Sequence, residues 1–344
     1  GFDIPSVVIC SAASCKLYNM TITYSYATDE GSAILVSSGK LTVVNCFIKS
    51  MGGNGVKVRR GGNLEFFANR MEDCRGVSVN LDGYVHAEIR YNDIMSSRGA
   101  GIQFIDNSNP MIDGNKIARG KSSAVVSAIR GLGVIKNNEL LLNKNAGVEI
   151  RSGADPVVEQ NKIVQNQVGV LCTESSKGKL IDNIISGSKN AGIFASMQST
   201  LESMGNQING EDKATGILVI DGSHVDVKNF EIQSLRHSLV ISSASRVNLT
   251  DCRMFHHKGD TVLVRGEGSS LYAERNEIFG NSYLGIKVLE SAYARINENK
   301  IYFNGGTGLH VGPDCSGVMQ KNEIHDNGAV DVKIEAHERR FTVS

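Results

Sequence analysis

A short motif, Asn-x-Ile or a close variant, recurs along this chain about every 23 residues, which is a repeat-protein period. Ten copies keep the asparagine, and these are Asn69, Asn92, Asn115, Asn138, Asn161, Asn183, Asn206, Asn276, Asn299 and Asn322. Four copies keep only the apolar residue two positions later and place Met20, Cys46, Phe230 or Cys252 where the asparagine would stand. A fixed short period is typical of a solenoid, in which each repeat buries its apolar face against its neighbours.

Each repeat also contains three short runs in which apolar and polar residues alternate. Gly147-Val-Glu-Ile and Asp155-Pro-Val-Val are two examples, and Gly, Ser, Asn or Pro residues bound such runs. Alternation with period two indicates β-strands. Three strands per repeat predict an all-β chain, a single right-handed three-sheet parallel β-helix of about 14 coils.

The repeated asparagines are interpreted as a structural ladder at one corner of the coil. Asparagine tolerates the left-handed backbone of a tight corner, and its amide can hydrogen-bond to the same amide in the next coil. The four replacements, Met20, Cys46, Phe230 and Cys252, are expected to fill the same inward corner with apolar side chains. The ladder is therefore not expected to bind metal.

Composition gives the expected organisation and surroundings of the chain. The repeat is unbroken, so residues 1–344 are predicted to form one monomeric domain, which we expect to be a piece of a longer protein. A formal net charge of zero argues against recruitment of nucleic acid or membrane. Seven cysteines without a CxxC pair favour a reducing compartment, the cytoplasm or also the nucleus. No cofactor is predicted.

Residues at the same offset from the corner in successive coils form a column along the solenoid, and two of the outward columns are rich in charged residues. One residue after the corner, Arg70, Asp93, Lys116, Glu139 and Lys162 alternate in sign, and so do Glu231, Arg253, Glu277, Lys300 and Glu323. Opposite charges on adjacent strands stabilise each other. This first column is therefore predicted to satisfy itself without a partner.

The column six residues after the corner is instead cationic. Its cations are Arg75, Arg98, Lys121, Lys144, Lys189, Lys213 (beside Asp212), Arg236 and Lys258, with Gln167 as the exception. His237, His256 and His257 are expected to extend the positive potential. The functional interpretation is a basic edge that binds an acidic or phosphorylated protein. The alternative is that lysine and arginine at turns keep the solenoid soluble and prevent lateral aggregation.

An enzymatic interpretation depends on carboxylates in adjacent coils. The candidate pairs are Glu65 with Glu88, beside Arg90, and Glu202 with Asp226, and such neighbours are expected to raise each other's pKa. Against this interpretation, the chain has no Trp, and its few Phe and Tyr residues look scattered, without a platform for sugars. His256 and His257 are adjacent on a strand and so point to opposite faces, which argues against a metal site.

Several segments resemble known β-helix families of the carbohydrate-binding and sugar-hydrolase repeat class. Residues 108–117 (SNPMIDGNKI) and 155–170 are similar to the repeats of F-box-only β-helix proteins. Gly39-Lys-Leu-Thr-Val-Val-Asn-Cys-Phe-Ile-Lys and Gly55-Val-Lys-Val resemble the Shc-binding, nessun dorma-like proteins. The resemblance implies a eukaryotic intracellular interaction module, a ubiquitin-ligase adaptor in the first case and a cytokinesis or signalling scaffold in the second.

Taken together, these observations lead to a prediction of a non-catalytic protein-interaction scaffold, with the cationic column as its binding edge. The alternative is a carbohydrate-active enzyme (a polysaccharide lyase, hydrolase or epimerase) or a sugar-binding descendant of one. No catalytic residue is assigned.

Overall fold

The computed structural model describes residues 6–26, 31–338 and 340–344, and these residues form strands and turns without any helix. Forty-four strands, numbered β1 to β44 in chain order, form three parallel sheets. Consecutive strands belong to different sheets, and each strand pairs with the strand one coil later. This arrangement confirms the predicted three-sheet parallel β-solenoid of about 14 turns, since the third sheet has 14 strands. No helix among the described residues could cross a membrane.

The first sheet has 15 strands. They are β1 (Ser6–Cys10), β4 (Ser32–Val36), β7 (Asn54–Val58), β10 (Val79–Asp82), β13 (Ile102–Ile105), β16 (Val125–Ser127), β19 (Ala146–Ile150), β22 (Val168–Cys172), β25 (Ala191–Ala195), β28 (Thr215–Val219), β31 (His237–Ile241), β34 (Val262–Arg265), β37 (Ile286–Leu289), β40 (Leu309–Val311) and β43 (Val332–Ile334).

The second sheet also has 15 strands. They are β2 (Ser14–Tyr18), β5 (Gly39–Val44), β8 (Gly62–Phe67), β11 (His86–Arg90), β14 (Met111–Asp113), β17 (Val134–Lys136), β20 (Val157–Glu159), β23 (Lys177–Ile181), β26 (Thr200–Met204), β29 (His224–Lys228), β32 (Arg246–Thr250), β35 (Ser270–Glu274), β38 (Tyr293–Asn297), β41 (Ser316–Gln320) and β44 (Phe341–Val343).

The third sheet is built mostly from three-residue strands. They are β3 (Thr21–Tyr24), β6 (Phe47–Ser50), β9 (Arg70–Glu72), β12 (Asp93–Met95), β15 (Lys116–Ala118), β18 (Glu139–Leu141), β21 (Lys162–Val164), β24 (Ile184–Ser186), β27 (Gln207–Asn209), β30 (Glu231–Gln233), β33 (Arg253–Phe255), β36 (Glu277–Phe279), β39 (Lys300–Tyr302) and β42 (Glu323–His325).

The chain divides into two compact units. The first comprises the described residues up to Leu171 together with Ser176–Lys179, and the second comprises Cys172–Ser175 and the described residues from Leu180 onwards. In each unit the inward positions of the strands form the core, as with Leu64 and Phe66 in the first and Leu201 and Leu249 in the second. Burial of these apolar side chains is the main stabilising contribution.

The asparagine ladder lies between the second and third sheets, as predicted. In the first unit the Nδ2 of Asn92 donates to Asn115 Oδ1 (2.8 Å), and Asn115 Nδ2 donates to Asn138 Oδ1 (3.0 Å). In the second unit Asn276 and Asn299 make the same bond at 2.9 Å. The left-handed backbone falls on the residue before each asparagine, for example Tyr91 (φ 56°), and not on the asparagine. The ladder asparagines are therefore present for their hydrogen bonds.

The apolar replacements follow the prediction except at the first coil. Cys46, Phe230 and Cys252 are at most 2% exposed, whereas Met20 is 48% exposed. Met20 belongs to the first coil of the described residues, and no described residue of an earlier coil covers its corner. The expectation that Met20 fills an inward corner is wrong for this reason.

The cysteines also differ from the expectation at the beginning of the chain. Cys10 and Cys15 form a disulfide, which the spacing argument did not predict, while the other five cysteines are buried thiols outside any disulfide. Burial raises the pKa of Cys252 to about 12, so this thiol is unreactive.

Candidate functional site

The outward face of the second sheet carries a polar and aromatic surface in the second unit. Strands β26, β29, β32, β35 and β38 pair in register, so their central residues form one column, which contains Glu202, Asp226, Asn248, Tyr272 and Arg295. The residues that precede each of them, such as Leu201 and Val225, are fully buried. Because side chains alternate along a strand, the central column must point away from the core. We call this surface the second-sheet face.

Asp226 is held in place by two neighbours on the second-sheet face. His224 Nε2 lies 3.0 Å from Asp226 Oδ1, and Asn248 Nδ2 donates to the same oxygen at 2.6 Å. Glu202 is the direct strand neighbour of Asp226. The structure thus places the predicted carboxylate pair side by side and orients one member of it by hydrogen bonds.

Aromatic rings continue the same face beyond the carboxylates. The rings of Tyr272 and Tyr293 lie 5.7 Å apart at an angle of 43°, and the guanidinium of Arg246 lies 4.3 Å from the Tyr272 ring centre. A groove of about 240 Å³ lies beside them, lined by Asn248, Thr250, Tyr272, Ala273, Glu274, Arg295 and Asn297. The description of the aromatic residues as scattered is wrong here, because strand stacking brings together residues about 21 positions apart.

A second carboxylate pair lies on the second sheet of the first unit. Glu65 and Glu88 are strand neighbours, as predicted, beside a groove of about 480 Å³. Glu65 pairs with Lys40 (2.6 Å) and accepts a hydrogen bond from Thr42 (2.8 Å), and these contacts lower the pKa of Glu65. Glu88 pairs with Arg90 at 3.2 Å. The expectation that the pair raises the pKa of Glu65 is wrong, because the hydrogen bonds from Lys40 and Thr42 outweigh the effect of burial.

The cationic column is in strict register in the first unit. The N–H groups of Arg75, Arg98, Lys121 and Lys144 donate to Ser50, Cys74, Ser97 and Gly120, each one coil earlier, at 2.8–3.0 Å. All four cationic residues are exposed. Arg75, Arg98 and Lys121 line a groove of about 650 Å³ together with other residues of this turn, whereas Lys144 is not part of its lining.

In the second unit the predicted cations Lys189, Lys213, Arg236 and Lys258 are exposed as well. The N–H of Arg236 donates to Ala214 O, so the short turn that contains Lys213 lies outside the strict register of the column. Binding of a partner by the eight cations of this column, four in each unit, stays a prediction.

His257 does not extend the positive potential, contrary to the expectation. Its side chain is fully buried, and this burial lowers its pKa to about 4, so it is neutral near pH 7. His256 is exposed, in agreement with the prediction that the two rings point to opposite faces. Among the described residues, no three His, Cys, Asp or Glu side chains are placed to hold a metal ion.

His257 belongs to a second polar ladder that the sequence analysis missed. It lies five residues after the asparagine corner, at the position of Asn143 and Asn166 in the first unit and of Asn281 and Asn304 in the second. Asn143 Nδ2 donates to Asn166 Oδ1 at 3.0 Å, and Asn281 Nδ2 donates to Asn304 Oδ1 at 2.8 Å. The recurrence of Asn at this offset was a visible signal for it.

The alternating charge column is confirmed where its ion pairs form between coils. Arg253 pairs with Glu231 (3.5 Å) and Glu277 (2.9 Å), and Lys162 pairs with Glu139 (3.8 Å). Arg70 differs, because its guanidinium bonds Glu72 of its own strand.

An aromatic column lies beside the alternating charges in the second unit, and it too was missed. Phe255, Phe279, Tyr302 and His325 stack with ring centres 5.2, 5.3 and 5.6 Å apart. The rings face one another, so mainly their edges are left for solvent. This column therefore stabilises adjacent strands and is a poor platform for a sugar ring.

Comparison with solved structures gives catalytic domains, two of which are those of alpha-1,3-glucanases. The chain is similar to the catalytic domain of Agl-KA (12% identity, TM-score 0.44) and to that of a GH87 alpha-1,3-glucanase from Streptomyces thermodiastaticus (12%, 0.45). It is also similar to a GH87 alpha-1,3-glucanase catalytic domain in complex with tetrasaccharides (11%, 0.45). These matches cover 90%, 92% and 96% of this chain and 61%, 62% and 64% of the solved chains, respectively.

The prediction of a non-catalytic protein-interaction scaffold is contradicted, since the solved structures found are catalytic domains. At this identity and TM-score the likeness concerns the fold, so any argument for an activity has to come from the chain's own residues. No curated protein matches the sequence.

The family model for the right-handed β-helix region matches residues 5–107, 76–212 and 215–344. These matches cover most of the chain and agree with the parallel sheets and the ladder described above. The chain therefore belongs to the right-handed β-helix family.

Proposed function

We propose that this chain is a carbohydrate-active protein that binds a glycan on the second-sheet face and cleaves a glycosidic bond there with Glu202 and Asp226. The observation that carries the proposal is the column of Glu202, Asp226, Asn248 and Tyr272 on adjacent strands. Carboxylates and amides hydrogen-bond to sugar hydroxyls, and a tyrosine ring offers an apolar surface with a polar tip.

The chemistry would use the two carboxyl groups in different roles. Glycosidases use one carboxylic acid to protonate the leaving oxygen and one carboxylate as nucleophile or base. Asp226 suits the second role, because His224 and Asn248 fix its Oδ1, which leaves protonation of the leaving group to Glu202. Parallel strands lie about 4.8 Å apart, which is closer to the separation of about 5–5.5 Å in retaining enzymes than to that in inverting ones. Retention of anomeric configuration is therefore expected.

The resemblance to F-box-only and Shc-binding proteins does not conflict with this proposal. The segments that carry it contain inward-facing corner and strand residues, such as Asn115 and Ile117, which are 1% and 2% exposed. Similarity at such positions supports a common coil geometry and does not identify what the outward faces bind.

The test is a panel of soluble and insoluble polysaccharides, including an α-1,3-glucan, with binding measured by co-sedimentation and cleavage by release of reducing ends. Glu202→Gln and Asp226→Asn should abolish cleavage, and Tyr272→Ala should weaken binding. Glu267→Gln, an exposed carboxylate in a turn, is the matched control and should leave both unchanged.

Three outcomes would count against the proposal. If no glycan binds, the second-sheet face is not a carbohydrate site. Binding without cleavage would exclude the catalytic roles of Glu202 and Asp226 and leave a sugar-binding protein. Cleavage that survives both substitutions would place the active site elsewhere.

A further inference from the structure

The groove at the cationic turn of the first unit contains a concentration of positive charge. Its lining includes the five cations Lys49, Arg75, Arg98, Arg119 and Lys121, and Asp73 is the one carboxylate among its described lining residues. The formal charge of these described residues is thus five minus one, or +4. Asp73 is already bound by Lys49 at 2.9 Å.

Three of these cations have no ionic partner among the described residues. Arg98, Arg119 and Lys121 are exposed, and they make no side-chain ion pair or hydrogen bond there. The alternating column shows that this chain can neutralise stacked charges between coils, as Lys162 and Glu139 do. Like charges in adjacent strands are unfavourable, so their accumulation at this turn costs free energy that a bound anion would recover.

We infer that this groove binds an acidic polysaccharide, one whose successive sugars carry a sulfate or a carboxylate. The inference rests on the proposed function for the kind of polymer, and it adds a second binding site for anionic groups in the first unit. Guanidinium groups suit it, because they make paired hydrogen bonds to the oxygens of sulfate and carboxylate.

The spacing of the cations favours a glycan over an acidic peptide. Arg75, Arg98 and Lys121 follow one another at the strand spacing of about 4.8 Å, as their coil-to-coil hydrogen bonds require. An extended peptide presents side chains on one side only at every second residue, which is about 6.6 Å. A polymer with one anionic group per sugar can match the shorter repeat. Single-stranded nucleic acid is disfavoured, because its bases need aromatic side chains and none lines the groove.

The experiment compares two triple variants of the full chain with equal loss of charge. Arg98→Gln/Arg119→Gln/Lys121→Gln removes three cations of the groove, and Lys116→Gln/Lys136→Gln/Lys162→Gln removes three from other surfaces of the same unit. Binding is measured by isothermal titration calorimetry to heparin (sulfated), polygalacturonate (carboxylated), dextran (neutral) and poly-glutamate. Circular dichroism confirms that both variants fold.

The groove variant should lose affinity for heparin or polygalacturonate by about tenfold or more, since three exposed ion pairs of ordinary strength are removed. The control triple variant should change the affinity for these glycans by no more than about threefold, and added salt should weaken the wild-type binding. Whichever of heparin and polygalacturonate binds more tightly identifies the anionic group.

Equal losses in the two triple variants would overturn the inference, because the attraction would then be general. Dextran or poly-glutamate binding as tight as that of the acidic glycans would also overturn it. Failure of the proposed function is separate, because cleavage is tested with Glu202→Gln and Asp226→Asn on the second unit. Loss of acidic-glycan binding in the groove variant would support the groove whether or not cleavage is found.

Discussion

The asparagine ladder can be tested by changing a single atom in one of its members. Asn115 is 1% exposed, and its Nδ2 donates to Ile89 O (2.8 Å), Asn138 Oδ1 (3.0 Å) and Asp113 O (3.2 Å). Asn115→Asp keeps the shape of the side chain but replaces this donor with an oxygen. The new oxygen would face three acceptors in a buried corner.

The expected cost follows from these contacts. A buried charge that has lost its partner destabilises a protein by about 3–5 kcal/mol, and unmade buried hydrogen bonds contribute to that cost. Each pKa unit corresponds to about 1.4 kcal/mol, so the introduced carboxyl should titrate about 2–4 units above its ordinary value of about 3.9. Its folded pKa is raised, so the destabilisation is small below about pH 4 and grows as the pH rises through the folded pKa.

Urea unfolding followed by circular dichroism, at about pH 4 and about pH 7, measures both quantities relative to the wild-type chain. Asn45→Asp is the matched control, because Asn45 is exposed and its side-chain amide donates to Asn19 Oδ1 (2.7 Å) and to no other described residue. Its effect should stay within about 0.5 kcal/mol. If Asn115→Asp costs less than about 1 kcal/mol near pH 7, or costs as much near pH 4, the ladder does not depend on these hydrogen bonds.

Two further predictions concern other buried or cross-linked positions. His257 lies among ladder asparagines and has its pKa lowered from 6.5 to about 4 by burial, so it contributes stability above pH 6.5 that is lost as the pH falls toward about 4. His257→Asn should remove most of this acid sensitivity, and a pH series of urea midpoints that keeps the wild-type slope would contradict it. Reduction of Cys10–Cys15 should destabilise the first coil by about 2 kcal/mol, as expected for so short a loop. Amide hydrogen exchange should show this loss of protection in the first coil alone. A loss of similar size at the amide of Asn276 would contradict the prediction that the effect is confined to the first coil.

The fold could be predicted from the sequence because every coil repeats the same local requirements. Asn115 and its equivalents recur at the corner, and strands such as Gly147-Val-Glu-Ile alternate, so one period determines all three sheets. Exceptions arise where the repeat ends or changes. Met20 is exposed at its corner, where no described residue of an earlier coil covers it, and Cys10–Cys15 links a stretch that lies before the first ladder asparagine.

The candidate site could be predicted only in part, because some of its contacts are diagonal between adjacent strands and do not follow a single column. Glu202 and Asp226 could be paired from the sequence, since their strands have the same register relative to the corner. Tyr272 pairs with Arg295, and Tyr293 lies two residues earlier on that strand, so the two rings are diagonal neighbours that an alignment by the repeat period leaves unrelated. The lowered pKa of Glu65 could not be predicted from the carboxylate pair, because it depends on a contact with Lys40, which lies two strands away from Glu88.

The contrast between inward and outward columns explains why function should be sought on the outward faces. Inside the coils, two corners are occupied by hydrogen-bonding ladders, and a replacement such as His257 must keep a bond to the backbone, here to Ile232 O at 3.1 Å. Within a run of ladder asparagines, each one is constrained by the hydrogen bonds that its neighbours would otherwise lose. Outward positions have no such restriction, so a column there can be neutral or aromatic at little cost to folding, whereas a column of like charges is unfavourable. The column that contains Arg98 and Lys121 places like charges on adjacent strands, which is electrostatically unfavourable. Such a column therefore indicates selection for binding more strongly than any inward repeat does.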